Sequence, residues 1–371
     1  MGEALEVVAG AVVAYRLCDI AYAIDLAKVE AVWARHARPG SRRGRLAATP
    51  PKAVAFGEAP VALALEPRTI QLEAGPVEAA VTVRLYDFGV VSLALRVPAS
   101  RLPWPAFVGL LNAVDRGVGA GAADIWSPLL AEIRHLLAEA LVRPESSGPE
   151  EDYLLGLVHA FDTAPSAAEL LEQVDLVPLL SGERRPLSDG ARADLLRQRF
   201  SYYADDLVAL TWDHAFIYEP RGDSDVVDVL EVANAQLLEM RYYDELLDAE
   251  LPRMYDLVEA ARRARPLLAS RRFANLARRL YTLVAEVTEV REKVDNALQV
   301  TEDVYLARVY AAALDLFRVP AVSAAVDRKL SIIRDTYTAL YEEASAGRAE
   351  LMELAILVLI ALEIVLALLR R

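Results

Sequence analysis

Cysteine is nearly absent. Cys18 is the only one in 371 residues, so no intramolecular disulfide and no cysteine-based zinc site can form. Histidine is almost as scarce: His36, His135, His159 and His214 stand singly, without the helical spacing of a divalent site. Positive charge is in deficit. The formal net charge of -14 argues against a general nucleic-acid binder, which needs a basic surface, and no direct nucleic-acid contact is expected. Residues 1–17 lack a basic region, apolar core and small-residue cleavage site, so the N-terminal part is expected to stay in the cytoplasm. Glu6 stands where a myristoylation signal needs Ser or Thr. Gly-rich dinucleotide fingerprints and nucleophile elbows are also missing, and no cofactor is expected.

Apolar residues are plentiful. They make up 55% of the chain against 25% charged, enough to offset chain entropy and exclude wholesale disorder. The mean hydropathy of +0.24 is high for a soluble chain. The length suggests two or three folding units.

The strongest single signal is at the end. From Leu351 to Leu369 the sequence reads LMELAILVLIALEIVLALL, interrupted only by Glu353 and Glu363 and closed by Arg370 and Arg371. As a helix it spans about 28 Å, close to the hydrocarbon thickness of a bilayer. Its aliphatic residues outweigh two off-centre carboxylates in insertion energy. The expectation is a single transmembrane helix at 350–371 that contacts the lipid bilayer through residues 351–369, with Glu353 and Glu363 on one side as candidate functional groups. Only a two-residue tail would cross, against the positive-inside preference.

Before it lies a long helical region. Val226, Leu230, Ala233, Leu237, Met240, Leu247, Leu251, Met254 and Val258 follow a four-three spacing, with Asp244 in the seam and Pro252 as a bend. A second seam runs Phe273, Leu276, Leu280, Leu283, Val287, Val290, Val294 and Ala297. The two predict an antiparallel coiled-coil hairpin. A third helix is expected over 301–319, and Pro320 opens a fourth with the seam Val326, Leu330, Ile333, Tyr337 and Leu340. Residues 223–346 thus read as a coiled-coil stalk for self-association or a protein partner.

Residues 1–220 read as an α+β head. The segment from Val7 to Tyr15 predicts a strand and that from Ile20 to Arg35 a helix. The run VEAAVTVRLYDFGVVSLALRVP predicts two strands meeting at Asp87-Phe88-Gly89. A strand from Tyr153 to Phe161, a helix from Ala167 to Val174 and paired strands from Phe200 to Pro220 follow. The order strand, helix, strand, strand occurs twice, over 1–100 and 151–220, and predicts two related modules. Helices from Trp104 to Val114 and from Asp124 to Val142 lie between them, followed by a polar linker from Pro144 to Asp152. The fold class is therefore α+β, followed by the helical stalk and the membrane helix.

Signs of chemistry are few. Asp87-Phe88-Gly89 reads as a turn, since no phosphate loop accompanies it. Asp205, Asp206, Asp213, Asp223, Asp225 and Asp228 crowd around the last strands. Such a cluster can hold Mg²⁺ or supply acid and base, with Asp205 and Asp206 as the candidates, although turns and helix caps use the same residues.

The runs ADDLVALTWDHAFIYEP, VLEVANAQLLEMRYYDELLD, EVREKVDNALQVTEDVYLARVY, DRKLSIIRDTYTALYEE and RAELMELAILVLIALEIV resemble the family of the "required for meiotic nuclear division" proteins and their bacterial relatives. The likeness covers residues 200 to the end and, more weakly, VVAYRLCDIAYAIDL. It departs at Val208 to Phe216, where the family has a Ser-His-Ala-Leu-Ala-Gln-Ser-like stretch. It implies a single-pass membrane protein and adds little chemistry. The expected function is a membrane-anchored scaffold, not an enzyme. The alternatives are a soluble homo-oligomer that buries the tail in a bundle, and a metal-dependent hydrolase using the carboxylates between Asp205 and Asp228.

Overall fold

The computed structural model describes residues 5–36, 55–56, 59–119, 122–145, 148–183, 185–222, 225–262, 266–299 and 304–369. Strands and helices follow in the order β1 (Glu6–Asp19), β2 (Ala21–Ile24), α1 (Leu26–His36), β3 (Ala55–Phe56), β4 (Val61–Leu72), β5 (Gly75–Leu85), β6 (Val90–Ala99), β7 (Leu102–Pro103), α2 (Trp104–Val118), α3 (Trp126–Leu136), β8 (Leu141–Pro144) and β9 (Glu150–Phe161). Then come α4 (Ala167–Gln173), α5 (Val177–Ser181), α6 (Asp189–Leu195), β10 (Arg199–Phe200), β11 (Leu207–Leu210), β12 (His214–Tyr218), α7 (Val226–Arg262), α8 (Pro266–Ala297), β13 (Leu298–Gln299), α9 (Val304–Leu316) and α10 (Val319–Leu369). The chain divides into two compact units, residues 1–239 with 293–320, and residues 240–292 with 321–371.

The first unit is built on one nine-stranded sheet of order β10-β11-β12-β9-β1-β6-β5-β4, with β7 paired to the start of β1. Both predicted modules feed it, but they pair differently: β1 lies antiparallel to β6, while β9 lies parallel to β12. β1 and β9 meet in the middle, with Val13 opposite Leu155 and Tyr15 opposite Tyr153.

Alternation along the strands sorts side chains to two faces. Val12, Ala14, Leu93, Leu95, Val81, Val83, Leu154 and Phe216 point to one face and pack with Trp104, Phe107 and Leu111 of α2 and Leu179 of α5. Burying each aliphatic side chain there contributes about 1.5–3 kcal/mol. Gly156 of β9 makes the contact close, since a Cβ there would stand 3.0 Å from Leu111 Cδ1 and 3.2 Å from Leu179 Cδ1. The opposite face receives α9, where the Phe317 ring packs edge-on against Tyr153 with centroids 5.3 Å apart. It also receives the start of α7, whose Val226, Leu230, Ala233 and Leu237 are buried. Tyr310 of α9 donates to Gln236 Oε1 of α7 at 2.6 Å.

Two expectations change here. The segment predicted as a helix from Ile20 to Arg35 begins as β2, because residues 21–24 pair with β8; α1 starts only at Leu26, its first turn capped by Asp25, whose carboxylate accepts from Lys28 N–H at 3.0 Å. The helix predicted from Asp124 to Val142 stops at Leu136, and residues 141–144 become β8 for the same pairing. The Asp87-Phe88-Gly89 segment is a turn, closed by Gly89 N–H donating to Tyr86 O at 3.2 Å. Its third residue has to be Gly: φ is 105°, and a Cβ would sit 1.8 Å from Ala21 O.

The second unit is helical. Its portions of α7, α8 and α10 contact one another in each pairing: Arg279 bonds Glu250 at 3.3 Å, Lys329 bonds Asp244 at 2.7 Å and Asp248 at 2.6 Å, and the Tyr281 and Tyr337 rings lie 5.9 Å apart. Glu250 and Arg279 stand almost equally far from the connection between α7 and α8, as an antiparallel hairpin requires. The predicted seam residues Met240, Leu247, Met254, Phe273, Leu276, Leu280, Val287, Val326, Leu330, Ile333 and Leu340 are buried. Three helices share these seams, where a two-stranded coiled coil was the expectation. The earlier seam positions, from Val226 to Leu237, belong to the sheet-bearing unit. α7 runs through Pro252 as one helix.

Among the described residues no single helix is long and apolar enough to cross a membrane. One bent pair, Val304–Leu316 with Val319–Glu342, passes by length and composition, yet its Leu306, Val309, Ala313, Val326, Leu330 and Ile333 are buried. The predicted membrane segment forms the last turns of α10, and most of its side chains, Glu363 included, lie outside the described ones. Glu353 is exposed there, and so are five consecutive apolar residues, Ile356, Leu357, Val358, Leu359 and Ile360, at 48–63%.

Candidate functional site

The sheet face that meets α7 carries polar groups where a core would be apolar. Arg84 on β5 and Ser92 on β6 are direct partners in the strand register, and Tyr15 on β1 lies opposite Ala94. Glu231 and Asp228 descend from α7. Arg84 Nη1 bonds Glu231 Oε2 at 2.6 Å, Arg84 Nη2 bonds Asp228 Oδ1 at 2.7 Å, and Tyr86 donates to Glu231 Oε1 at 3.3 Å. Burial works against the Arg84 charge, but the two carboxylates outweigh it and hold the guanidinium ionised. Burial pushes the Glu231 carboxyl up, and Arg84 pulls it back. Burial likewise keeps the Tyr15 and Tyr86 phenols neutral.

Beside this triad lies a cavity of about 300 Å³, lined among others by Val13, Tyr15, Ser92, Arg96, His159 and Glu231. His159 comes from β9 and is held by its Nδ1–H donating to Glu219 O at 3.1 Å. A carbonyl only accepts, so Nδ1 carries the proton and Nε2 is left as the group available to the cavity. The Ser92 hydroxyl is 1% exposed and completes no hydrogen bond, although it stands near enough to Glu231 to favour its ionised form.

A second polar knot lies at the turn between β11 and β12. Thr211 Oγ1 accepts from His214 N–H at 3.1 Å, and Tyr153 Oη donates to the carbonyls of Thr211 and His214 at 3.1 and 3.0 Å. The buried His214 ring sits 3.0 Å from Asp213 Oδ1 and 3.9 Å from Asp115 Oδ2. Burial raises the Asp115 carboxyl; for Asp213 burial acts the same way, but the hydrogen bond and charge of His214 bring it below the usual carboxylate range. These contacts close the turn.

The carboxylates that crowd together in the sequence are dispersed. Asp206 accepts from the N–H groups of Tyr202 and Tyr203 at 2.7 and 3.0 Å, which shapes the loop between β10 and β11, and Asp205 lies in the same loop. Asp213 serves His214 and Asp228 serves Arg84, while Asp223 lies outside the described residues. Among the described residues no group of three or more His, Cys, Asp or Glu side chains could hold a metal ion. Neither Arg84 nor Ser92 nor Glu231 stands out in the sequence, because strands at 84 and 92 and a helix at 231 meet only in the fold.

Residues 9–225 match the family described as uncharacterized protein MJ0711, N-terminal domain. Uncharacterized protein MJ0711 of Methanocaldococcus jannaschii is 26% identical over 194 residues, 52% of this chain and 58% of the relative, so the match spans little more than half of that protein. No solved structure matches the chain. The family match covers the sheet-bearing part. It overlaps the likeness to the meiotic-division proteins from residue 200 to 225 and, more weakly, over residues 12–26, and that likeness rests on the quoted runs alone.

Proposed function

The chain belongs to the family of the MJ0711 N-terminal domain, and from that premise we propose that it is a membrane-tethered interaction protein, with the sheet-bearing unit as a cytoplasmic head, the helices as the part that grips a protein partner or a second copy, and the end of α10 as the anchor. The observation that carries this reading is the row of exposed apolar side chains from Ile356 to Ile360 on a helix that continues to Leu369. Each of these side chains leaves about half of its surface in water, a cost of roughly half of the ~1.5–3 kcal/mol for full burial, so the row favours an apolar environment. The stretch from 351 to 369 has the length of a bilayer core, about 28 Å. The ten-residue spacing of Glu353 and Glu363 predicts one shared side of a helix, which suits contact with another helix or the headgroup layer. An activity of the head as a metal-dependent hydrolase is not part of this reading, since Asp206, Asp213 and Asp228 have separate structural duties.

The test is membrane fractionation of the full chain and of a chain stopped after Gly347, each washed with high salt and with alkaline carbonate. Retention of the full chain through both washes, with release of the shortened one, supports an integral anchor. Full-length protein that stays soluble overturns it and leaves burial of the tail in a homo-oligomer, which sedimentation would then show.

A further inference from the structure

The cavity beside Arg84 has three chemically distinct parts. At its outer end stands Arg96, an exposed cation for which no ion pair is formed with any described residue. Between its two ends the floor is Ala94, with Tyr15 and Thr82 opposite it on the flanking strands and Val13 opposite Arg96. At its inner end are the Glu231 carboxylate and the fully buried Ser92 hydroxyl, which stands beside that carboxylate but completes no hydrogen bond. Arg84 alone faces both Glu231 and Asp228, so the inner end has one carboxylate more than it has cations. A buried hydroxyl without a partner costs about 1–3 kcal/mol, and a ligand group there would recover it.

From this arrangement we infer that the head binds a small aliphatic acid bearing a hydroxyl or amino group at its far end. The carboxylate goes to Arg96, where a guanidinium can receive it by two parallel hydrogen bonds. The carbon chain lies over Ala94 and the Tyr15 ring opposite it. The donor end reaches Ser92 and Glu231, which together offer acceptors. The lengths agree: Ser92 and Arg96 are four residues apart on one face of β6, about 13 Å along the strand, and the arginine side chain spans part of that. A volume of 300 Å³ is at the small end for ligand sites and fits a short chain but not a nucleotide. A simple anion fits poorly, because Glu231 would repel it from the inner end. A simple amine leaves Arg96 without a partner.

The inference is independent of the membrane anchor and is tested on the full chain in mild detergent. The probes are 4-hydroxybutanoate and 4-aminobutanoate, with butanoate, butylamine and inorganic phosphate for comparison, read by calorimetric titration and thermal unfolding. At least one of the two bifunctional acids should bind with a Kd at or below about 1 mM and raise the unfolding temperature. Butanoate and butylamine should each bind at least ~10-fold more weakly. R96Q, on an exposed side chain that leaves the fold intact, should weaken binding by ~10-fold or more, and S92A by a smaller factor. Absence of binding by both acids up to about 20 mM overturns the inference. So does binding that R96Q leaves unchanged, or equally strong binding of phosphate or butylamine.

Discussion

In the sheet-bearing unit some charges are drawn inward, although pairs such as Arg35 with Glu139 and Arg197 with Asp194 stay at the surface. Asp19, Glu151, Glu219, Glu231 and Glu239 are buried, and Arg84 is enclosed by two carboxylates. In the helical unit the ion pairs sit at the surface: Arg253 with Glu250, Arg279 with Glu250, and Lys329 with Asp248, each pair having a partner more than 60% exposed. The contrast follows from architecture. A wide sheet covered on both faces encloses whatever its strands carry, so a polar residue inside must find a fixed partner. Three packed helices bury only one stripe each, and charged residues remain in water, where each pair contributes little. Specific recognition is therefore to be sought in the first unit, where polar side chains are held by fixed partners.

The sharpest way to break this contrast is to remove a partner from the buried triad. Arg84→Ala should lower the unfolding free energy of the sheet-bearing unit by about 3–5 kcal/mol, because Glu231 is left buried and uncompensated; a loss under about 1 kcal/mol in denaturant titration would mean that water reaches the triad freely. Gly89→Ala comes next. The added Cβ meets Ala21 O and the positive φ adds strain, so stability should fall by at least about 1–3 kcal/mol in the same titration.

A third prediction concerns pH. Burial, with the charge of Glu145 adding to it, pushes the Asp19 carboxyl up to about 7, above its unfolded value of 3.8. The native state therefore holds a proton that the unfolded chain gives up. This contribution is fully present below pH 3.8 and is lost as pH rises to about 7. Thermal unfolding of Asp19→Asn between about pH 5 and 8 should show a flatter pH dependence than the parent. An identical slope would place the titration on another group. The smallest effect belongs to the helical unit: Lys329→Ala should cost no more than about 1 kcal/mol despite its two short bonds to Asp244 and Asp248, because Asp248 is largely in solvent.

Much of this was legible in the sequence wherever local pattern and tertiary demand agree. The alternation from Val77 to Val97 predicts β5 and β6, and Gly89 marks their turn. Ser166 and Glu169 form a capping box, with Glu169 N–H donating to Ser166 Oγ at 3.3 Å, and α4 begins where its pattern does. Pro320 lies in the first turn of α10, as a helix-opening proline should. Legibility failed where a distant strand overruled a local preference, as at Ala21–Ile24 and Leu141–Pro144, whose mutual pairing cut short two predicted helices. The four-three spacing after Val226 was real, but spacing alone does not say whether a stripe meets a sheet, two helices of the same chain or another chain.

What the sequence determined by itself is therefore periodicity and punctuation: which segments are strands or helices, where turns fall, and that residues 351–369 form an apolar stretch too long for an ordinary exposed surface. These depend on neighbours a few positions apart, whose geometry the chain sets locally. Only the tertiary structure decided which carboxylates are structural and which face the cavity. Asp206 is taken by a loop and Asp213 by His214, while Glu231 is brought to Arg84 across 147 positions. Such a meeting depends on strand order and helix placement, and composition carries no record of either.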